Sequence, residues 1–366
     1  MTRTSRLIVT SLAALATLSV ALLVGCNYSE DGKPEEYKPP TTDTFLFSAS
    51  GSTFIAPLVN QWSSDYEKTH KVHVNYHPVG SGGGIDNLKQ GLGAFAASDA
   101  PLSGSQLQGL PPIVQFPVTA GPVCVIYNLP GLKSPLRLSG KTVAGIFAGD
   151  IISWQDSAIA SENPGVKLPH AAIIVVHRSD GSGTTSIFTT YLSKVSPEWS
   201  NKFGSGLSVN WPAGIGGNGS STILSTVKDT PGTIGYLELS YAKQAGVPVA
   251  SIQNKAGEYI VPSPASAYVA VTAATDALSK DVRTPIVDPP ATAKEAYPIT
   301  GLSFILIPKD SHRDGEQAAL KGFVAYSLST GQDVAEGLFY AKLPTSVEQQ
   351  GEALLSQLTQ NGQPVK

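Results

Sequence analysis

The strongest constraint on how this chain can fold is a pattern that recurs along it: an apolar run, then a turn rich in Gly and Ser, then an amphipathic stretch. The fullest copy joins residues 171–176 (AAIIVV) to Arg-Ser-Asp-Gly-Ser-Gly-Thr (178–184) and on to a helix carrying Ile187, Phe188, Tyr191 and Leu192. A Gly-rich turn that opens a helix aims unpaired backbone N–H groups at one point, and the helix dipole favours negative charge there. Arg178 adds a fixed cation with a planar donor fork suited to oxyanions. Ser182 and Thr184 add hydroxyls. The segment therefore suits a small tetrahedral or planar anion. It is not a Walker loop, whose lysine and spacing are absent, nor a hydrolase nucleophile elbow, because Ser182 directly follows Gly181. Taken alone, the turn also fits an ordinary strand-to-helix connection with a surface arginine.

Strands and helices alternate along the rest of the chain. Residues 45–48 read as a first strand. Phe54, Leu58, Trp62 and Tyr66 recur every four residues and make one face of a helix. Val72, Val74 and Tyr76 alternate as a second strand, and a short helix begins at Ile85 and Leu88 after the run 80–84. Further extended segments are expected at 95–98, 113–118, 123–127 and 304–307. Helices are expected near 142–147, 184–192, 222–227, 316–328 and 347–358. This is an α/β pattern with no evident internal repeat. About 320 residues exceed one typical domain, so two lobes are expected. Chain crossings at Pro117 to Pro122 and Tyr297 to Gly301 make residues 45–118 with 299–366 lobe I and residues 119–298 lobe II. Ligands favour the cleft between such lobes and the ends of parallel strands.

The N-terminus reads as a targeting signal. Arg3 and Arg6 precede a mostly apolar run from Leu7 to Val24 that ends in Leu23-Val24-Gly25-Cys26. The run resembles a bacterial lipobox, in which Cys26 is lipidated and becomes the new N-terminus. An uncleaved membrane helix is the other reading. Residues 26–44, with Pro34, Pro39 and Pro40, cannot bury a core and read as a flexible tether. The protein is then exported and lipid-anchored, facing the periplasm or the cell exterior. Without Arg3 and Arg6 the chain carries 23 basic and 28 acidic residues, and no basic stripe, which disfavours nucleic acid as a partner. Cys124, in an apolar run, reads as a buried structural thiol.

Three more segments join the 178–184 turn: Ala49 to Phe54, Gly80 to Gly84, and Ala97 to Pro101. Each is expected at the C-terminal end of a strand, and two open helices. Several such loops converging on one cleft make a cage of donors, as an anion receptor requires. None of them carries a lysine, so binding would rest on neutral hydrogen bonds and one arginine. His70, His73 and His77 invite a metal reading, but Val72, Val74 and Tyr76 occupy the inward face of that strand, so His73 and His77 are expected to point outward. Gly214 to Ser220 is expected to form a helix start at the cleft rim.

The motifs Ser-Gly-Ser-Thr-Phe (50–54), Gly-Ser-Gly-Gly (80–83), Ala-Ser-Asp-Ala-Pro-Leu-Ser (97–103) and 178–184 together resemble the phosphate-binding proteins of bacterial phosphate ABC transporters. Asn-Leu-Pro-Gly-Leu-Lys-Ser (128–134), Ile-Gly-Tyr (234–236) and Tyr-Pro-Ile-Thr (297–300) support the resemblance. It implies a two-lobed, type II periplasmic-binding-protein fold that closes around inorganic phosphate, with no catalytic residue and no cofactor, working with membrane permease and ATPase subunits. It assigns ligand roles to Thr53 (hydroxyl), Phe54 (backbone N–H), Ser81, Asp99, Arg178, Ser182, Gly183 (backbone N–H) and Thr184, with Asp180 orienting Arg178. Ile55, Gly82 and His177 depart from the common pattern. Gly82 replaces a common serine, so one hydroxyl is missing there.

Asp99 calls for a physical reason. A carboxylate is a poor neighbour for an anion unless a proton lies between them. Near neutral pH phosphate keeps a proton and sulfate does not, so an ionised Asp99 accepts from phosphate and repels sulfate. A local capping role before Pro101 is the alternative. Two rival functions remain: a phosphatase using Ser182 or Thr53 as nucleophile, which lacks a placed base and metal cluster, and a receptor for sulfate, molybdate or tungstate, against which Asp99 argues.

Overall fold

The computed structural model describes residues 44–132 and 134–365. The apolar leader, Cys26 and residues 26–43 of the expected tether lie outside the described residues. The framework is an eight-stranded mixed sheet of β1 (Phe45–Gly51), β2 (Val72–His77), β3 (Phe95–Ser98), β4 (Ile113–Tyr127), β5 (Ile174–Arg178), β6 (Ile215–Gly217), β7 (Thr233–Glu238) and β8 (Thr300–Pro308). In space the order is β2-β1-β3-β8-β4-β7-β5-β6. β1 pairs in parallel with β2 and β3, and β5 in parallel with β6 and β7. The antiparallel strands β8 and β4 lie between these two parallel groups.

The two expected segments at 113–118 and 123–127 are one continuous strand. Pro117 and Pro122 lie inside it, although proline removes a ladder donor. Pro117 faces Phe304, where the β8 register shifts, so the missing N–H falls at an irregularity of the ladder. Pro122 is the last β4 residue paired with β8, opposite Thr300. From Val123, opposite Glu238, the strand pairs with β7 instead. β4 thus runs through both halves of the sheet and changes partner midway.

Helices follow the strand ends: α1 (Ala56–His70), α2 (Gly80–Lys89), α3 (Gly140–Phe147), α4 (Gly183–Val195), α5 (Gly219–Asp229), α6 (Leu239–Ala245), α7 (Glu316–Leu328) and α8 (Thr345–Leu355). Phe54, Leu58, Trp62 and Tyr66 are all buried, as their spacing requires. α2 begins at Gly80 itself, so the glycine run forms its first turn instead of preceding it. Each half has its own aromatic packing. Phe47, Phe95 and Phe323 contact one another in the first half. In the second, Phe188 stacks on Tyr236 at 4.4 Å and meets Phe147 at 4.7 Å. Cys124 is buried as a free thiol. His73 pairs with Glu67 at 2.7 Å, His70 stacks on Tyr66, and His77 is exposed.

Candidate functional site

The parallel strands deliver their C-terminal ends to one place, where the two halves meet. β1 ends at Gly51, and Ser52, Thr53 and Phe54 form the short link into α1. Ser81 stands in the first turn of α2, and Asp99 directly follows β3. From the other half, Arg178 is the last residue of β5, and Ser182 is the N-cap of α4. Thr53, Phe54, Ser81, Asp99, Arg178, Ser182, Gly183 and Thr184 are all buried, and hydrogen bonds join several of them across the two halves.

Ser81 Oγ accepts from the N–H of Gly183 at 3.1 Å and of Asp99 at 3.3 Å, which leaves its own O–H free to donate. Ser182 Oγ caps its helix by accepting from the N–H of Thr185 at 3.1 Å, which likewise leaves its O–H free. Thr184 Oγ1 is buried with no hydrogen-bond partner among the described residues. Such a group is rare in native structures and is expected to meet a ligand or water. Thr53 Oγ1 lies 2.7 Å from Ser220 Oγ and accepts from Arg178 Nη1 at 3.2 Å. Gly183 permits this approach: a Cβ there would lie 2.6 Å from the backbone N of Asp99. Gly82 serves similarly, donating its N–H to Gly181 O at 2.8 Å where a Cβ would press on the Gly181 Cα. The residue that departs from the common serine thus supports backbone contact between the halves.

The charges are arranged in two distinct ways. Arg178 donates Nε and Nη2 to the two oxygens of Asp180, at 2.7 and 2.5 Å. The N–H of Gly219 also donates to Asp180, at 3.1 Å. Burial disfavours both charges, but the paired hydrogen bonds and opposite charges outweigh it, so Arg178 rises and Asp180 falls from their ordinary pKa values. Arg178 N–H donates to Tyr236 Oη at 3.2 Å, which ties the site to the aromatic core. Asp99 has no arginine on it. Its oxygens accept from Ser52 Oγ and Ser303 Oγ, each at 2.5 Å. Burial raises its pKa to about 7. The two serine hydroxyls and Arg178 pull it back, and Glu238 adds to the rise. Asp99 is therefore no helix cap; it is a proton-titratable acceptor set among donors.

Comparison with known proteins places the chain in a family. The PBP superfamily domain matches residues 35–330. The phosphate-binding protein PstS of Xylella fastidiosa is 39% identical over 350 residues, covering 93% of this chain and 95% of that protein. The chain belongs to the PstS phosphate-binding protein family. PstS of Haemophilus influenzae is 39% identical over 309 residues, covering 84% of this chain and 92% of that protein. Among solved structures, a high-affinity periplasmic phosphate-binding protein with bound phosphate aligns with a TM-score of 0.67 at 20% identity, covering 85% of this chain and 93% of that one. A phosphate-binding protein from Stenotrophomonas maltophilia aligns with a TM-score of 0.65 at 19% identity, covering 85% and 94%. The fold is the two-lobed α/β fold of periplasmic binding proteins.

Sequence reasoning gave no ligand or positioning role to four residues of this cluster. Ser303, one of the two serines that donate to Asp99, is a single serine in the apolar run of β8. Ser220 was placed only at the rim, yet it touches Thr53 and accepts from Arg178 Nη1 at 3.3 Å. Tyr241 donates to Thr53 O at 3.3 Å. Glu238 is 1% exposed, with neither carboxyl oxygen hydrogen-bonded within 3.5 Å among the described residues. Burial raises its pKa, while Ser220, at longer range, and Arg178 act the other way. The only available signal was a carboxylate inside the apolar run Tyr236-Leu237-Glu238-Leu239.

Proposed function

We propose that this protein binds inorganic phosphate in the cleft between its lobes and delivers it to an ABC-type import permease. It is a binding protein and not an enzyme. The observation that carries this reading is Asp99: a buried carboxylate, held by two neutral hydroxyls, placed beside free hydroxyl donors and a buried arginine. Thr53, Phe54 N–H, Ser81, Arg178, Ser182, Gly183 N–H and Thr184 would surround the anion, and Asp180 would hold the Arg178 fork in place. Arg178 and Asp180 nearly cancel, so attraction comes from aimed dipoles in a dry site more than from net charge. Asp99 would accept the phosphate proton and turn away a fully ionised oxyanion.

The lobes would be residues 45–118 with 299–366, and 119–298, hinging near the point where β4 changes partner. Cys26 would carry a lipid that anchors the chain to a bacterial membrane through the 26–44 tether, facing the periplasm or the exterior. The partners would be the permease and ATPase subunits of a phosphate transporter. Calorimetric titration tests the ligand: phosphate should bind with one-to-one stoichiometry at pH 8 and sulfate should give no heat. Equal binding of both anions would overturn the phosphate reading.

A further inference from the structure

Three tyrosine hydroxyls from three distant parts of the chain donate to three consecutive backbone carbonyls, those of Ser52, Thr53 and Phe54. Tyr76, on β2, donates to Ser52 O at 2.8 Å. Tyr241, on α6, donates to Thr53 O at 3.3 Å. Tyr340 donates to Phe54 O at 2.6 Å. Burial pushes all three phenol pKa values up, so they remain protonated donors. A trans peptide is planar, and its C=O and N–H point in opposite directions. Holding the carbonyl of one residue therefore fixes the aim of the next residue's N–H. The Thr53 carbonyl shares its peptide plane with the N–H of Phe54, which donates to Ser52 Oγ at 3.0 Å in this structure and, under the phosphate reading, also faces the anion. Tyr241 belongs to the second half, since α6 follows β7, so its grip on this plane spans the two halves.

We propose that Tyr241 is a positioning residue for anion binding: reaching across from α6, it fixes the Thr53–Phe54 peptide so that the Phe54 N–H points at the bound ion. Donation to the carbonyl also polarises the peptide and strengthens its N–H as a donor. Tyr340 serves as the internal control. It holds the Phe54–Ile55 peptide, whose N–H belongs to Ile55, a residue with no role in the site. Its hydroxyl lies 3.2 Å from Ser240 Oγ on α6, the helix that carries Tyr241, so it reports on the packing of that helix without touching the Phe54 N–H.

This proposal rests on the phosphate reading, and the test separates the two. Tyr241→Phe and Tyr340→Phe each remove one hydroxyl and keep the ring packed. Release of radiolabelled inorganic phosphate is measured for wild type and both variants, with the ligand-free unfolding temperature of each. For Tyr241→Phe, dissociation should quicken by about five- to tenfold, as expected for one lost hydrogen bond. Association should be unchanged, both variants should lower the ligand-free unfolding temperature about equally because each loses one internal hydrogen bond, and the Phe54 amide resonance of the phosphate complex should move in Tyr241→Phe. Tyr340→Phe should leave the dissociation rate within about twofold of wild type, too small a change for a lost hydrogen bond. If wild type retains phosphate but Tyr241→Phe releases it at the wild-type rate, the positioning role is overturned and the phosphate reading stands. Equal acceleration in both variants also overturns it, because the effect would not pass through the Thr53–Phe54 peptide. A wild type that binds no phosphate overturns both readings.

Discussion

Asp99 and Asp180 stand on opposite sides of one site, and their surroundings give them opposite tasks. Asp180 is spent on a cation: it accepts two bonds from Arg178 and one from Gly219 N–H, and its pKa falls. Asp99 accepts only from neutral serines, and burial raises its pKa to about 7. The side chains are the same, so the difference lies in the partner and in lost hydration. A site can hold one carboxylate as a fixed brace for its cation and another as a proton reader.

The largest effect should come from removing the cation that Asp180 braces. Arg178→Ala should weaken phosphate binding by about 100- to 1000-fold, since it strips charge-assisted donors from a buried anion. Unchanged affinity by calorimetry would remove Arg178 from the site. Asp180→Asn should act mainly on the protein itself. It leaves a buried guanidinium without its counter-charge, and unfolding free energy should drop by about 3 kcal/mol in denaturant titration. Phosphate affinity should fall less than in Arg178→Ala, because the cation remains. If affinity collapses as far with full stability retained, Asp180 contacts the anion and is no brace.

The smallest effect, and the one that sharpens the contrast most, concerns Asp99 and pH. Below about pH 7 the wild-type carboxyl holds a proton and can donate to sulfate; above it the carboxylate can only accept. Sulfate affinity should therefore strengthen by up to about tenfold per pH unit as pH falls through this range, whereas Asp99→Asn should show a flat profile. The raised pKa also means that the folded state holds this proton more tightly than the unfolded one. Ligand-free stability is therefore lost as pH rises from the ordinary carboxylate range through about 7, and Asp99→Asn should remove that fall. A wild-type sulfate profile with no slope would show that Asp99 charge does not exclude sulfate.

The loops were legible in the sequence because the Gly, Ser and Thr residues that build them are contiguous. Segments 50–54, 80–84, 97–101 and 178–184 state their own turn and helix-start chemistry. What fills the space between them is not contiguous. Ser303 reaches Asp99 from 204 residues away, because β8 pairs with β3 and sets Phe304 against Ser98. Ser220 reaches Thr53 from 167 residues away. The course of β4 misled for a similar reason. Prolines at 117 and 122 read as breaks, and only the β8 register shift opposite Pro117 and the change of partner after Pro122 explain how one strand passes through.

Local sequence by itself determined the α/β alternation, the places where strands hand over to helices, and the set of Gly-, Ser- and Thr-rich loops that the fold gathers around one arginine. Turn chemistry and hydrophobic periodicity act over a few residues, so a short stretch encodes them. Tertiary structure alone decided how far burial raises the Asp99 pKa, which hydroxyls crowd Asp99, and which tyrosines hold the 52–54 carbonyls. Those outcomes depend on burial and on partners brought from distant strands, and both exist only once the sheet has closed its order.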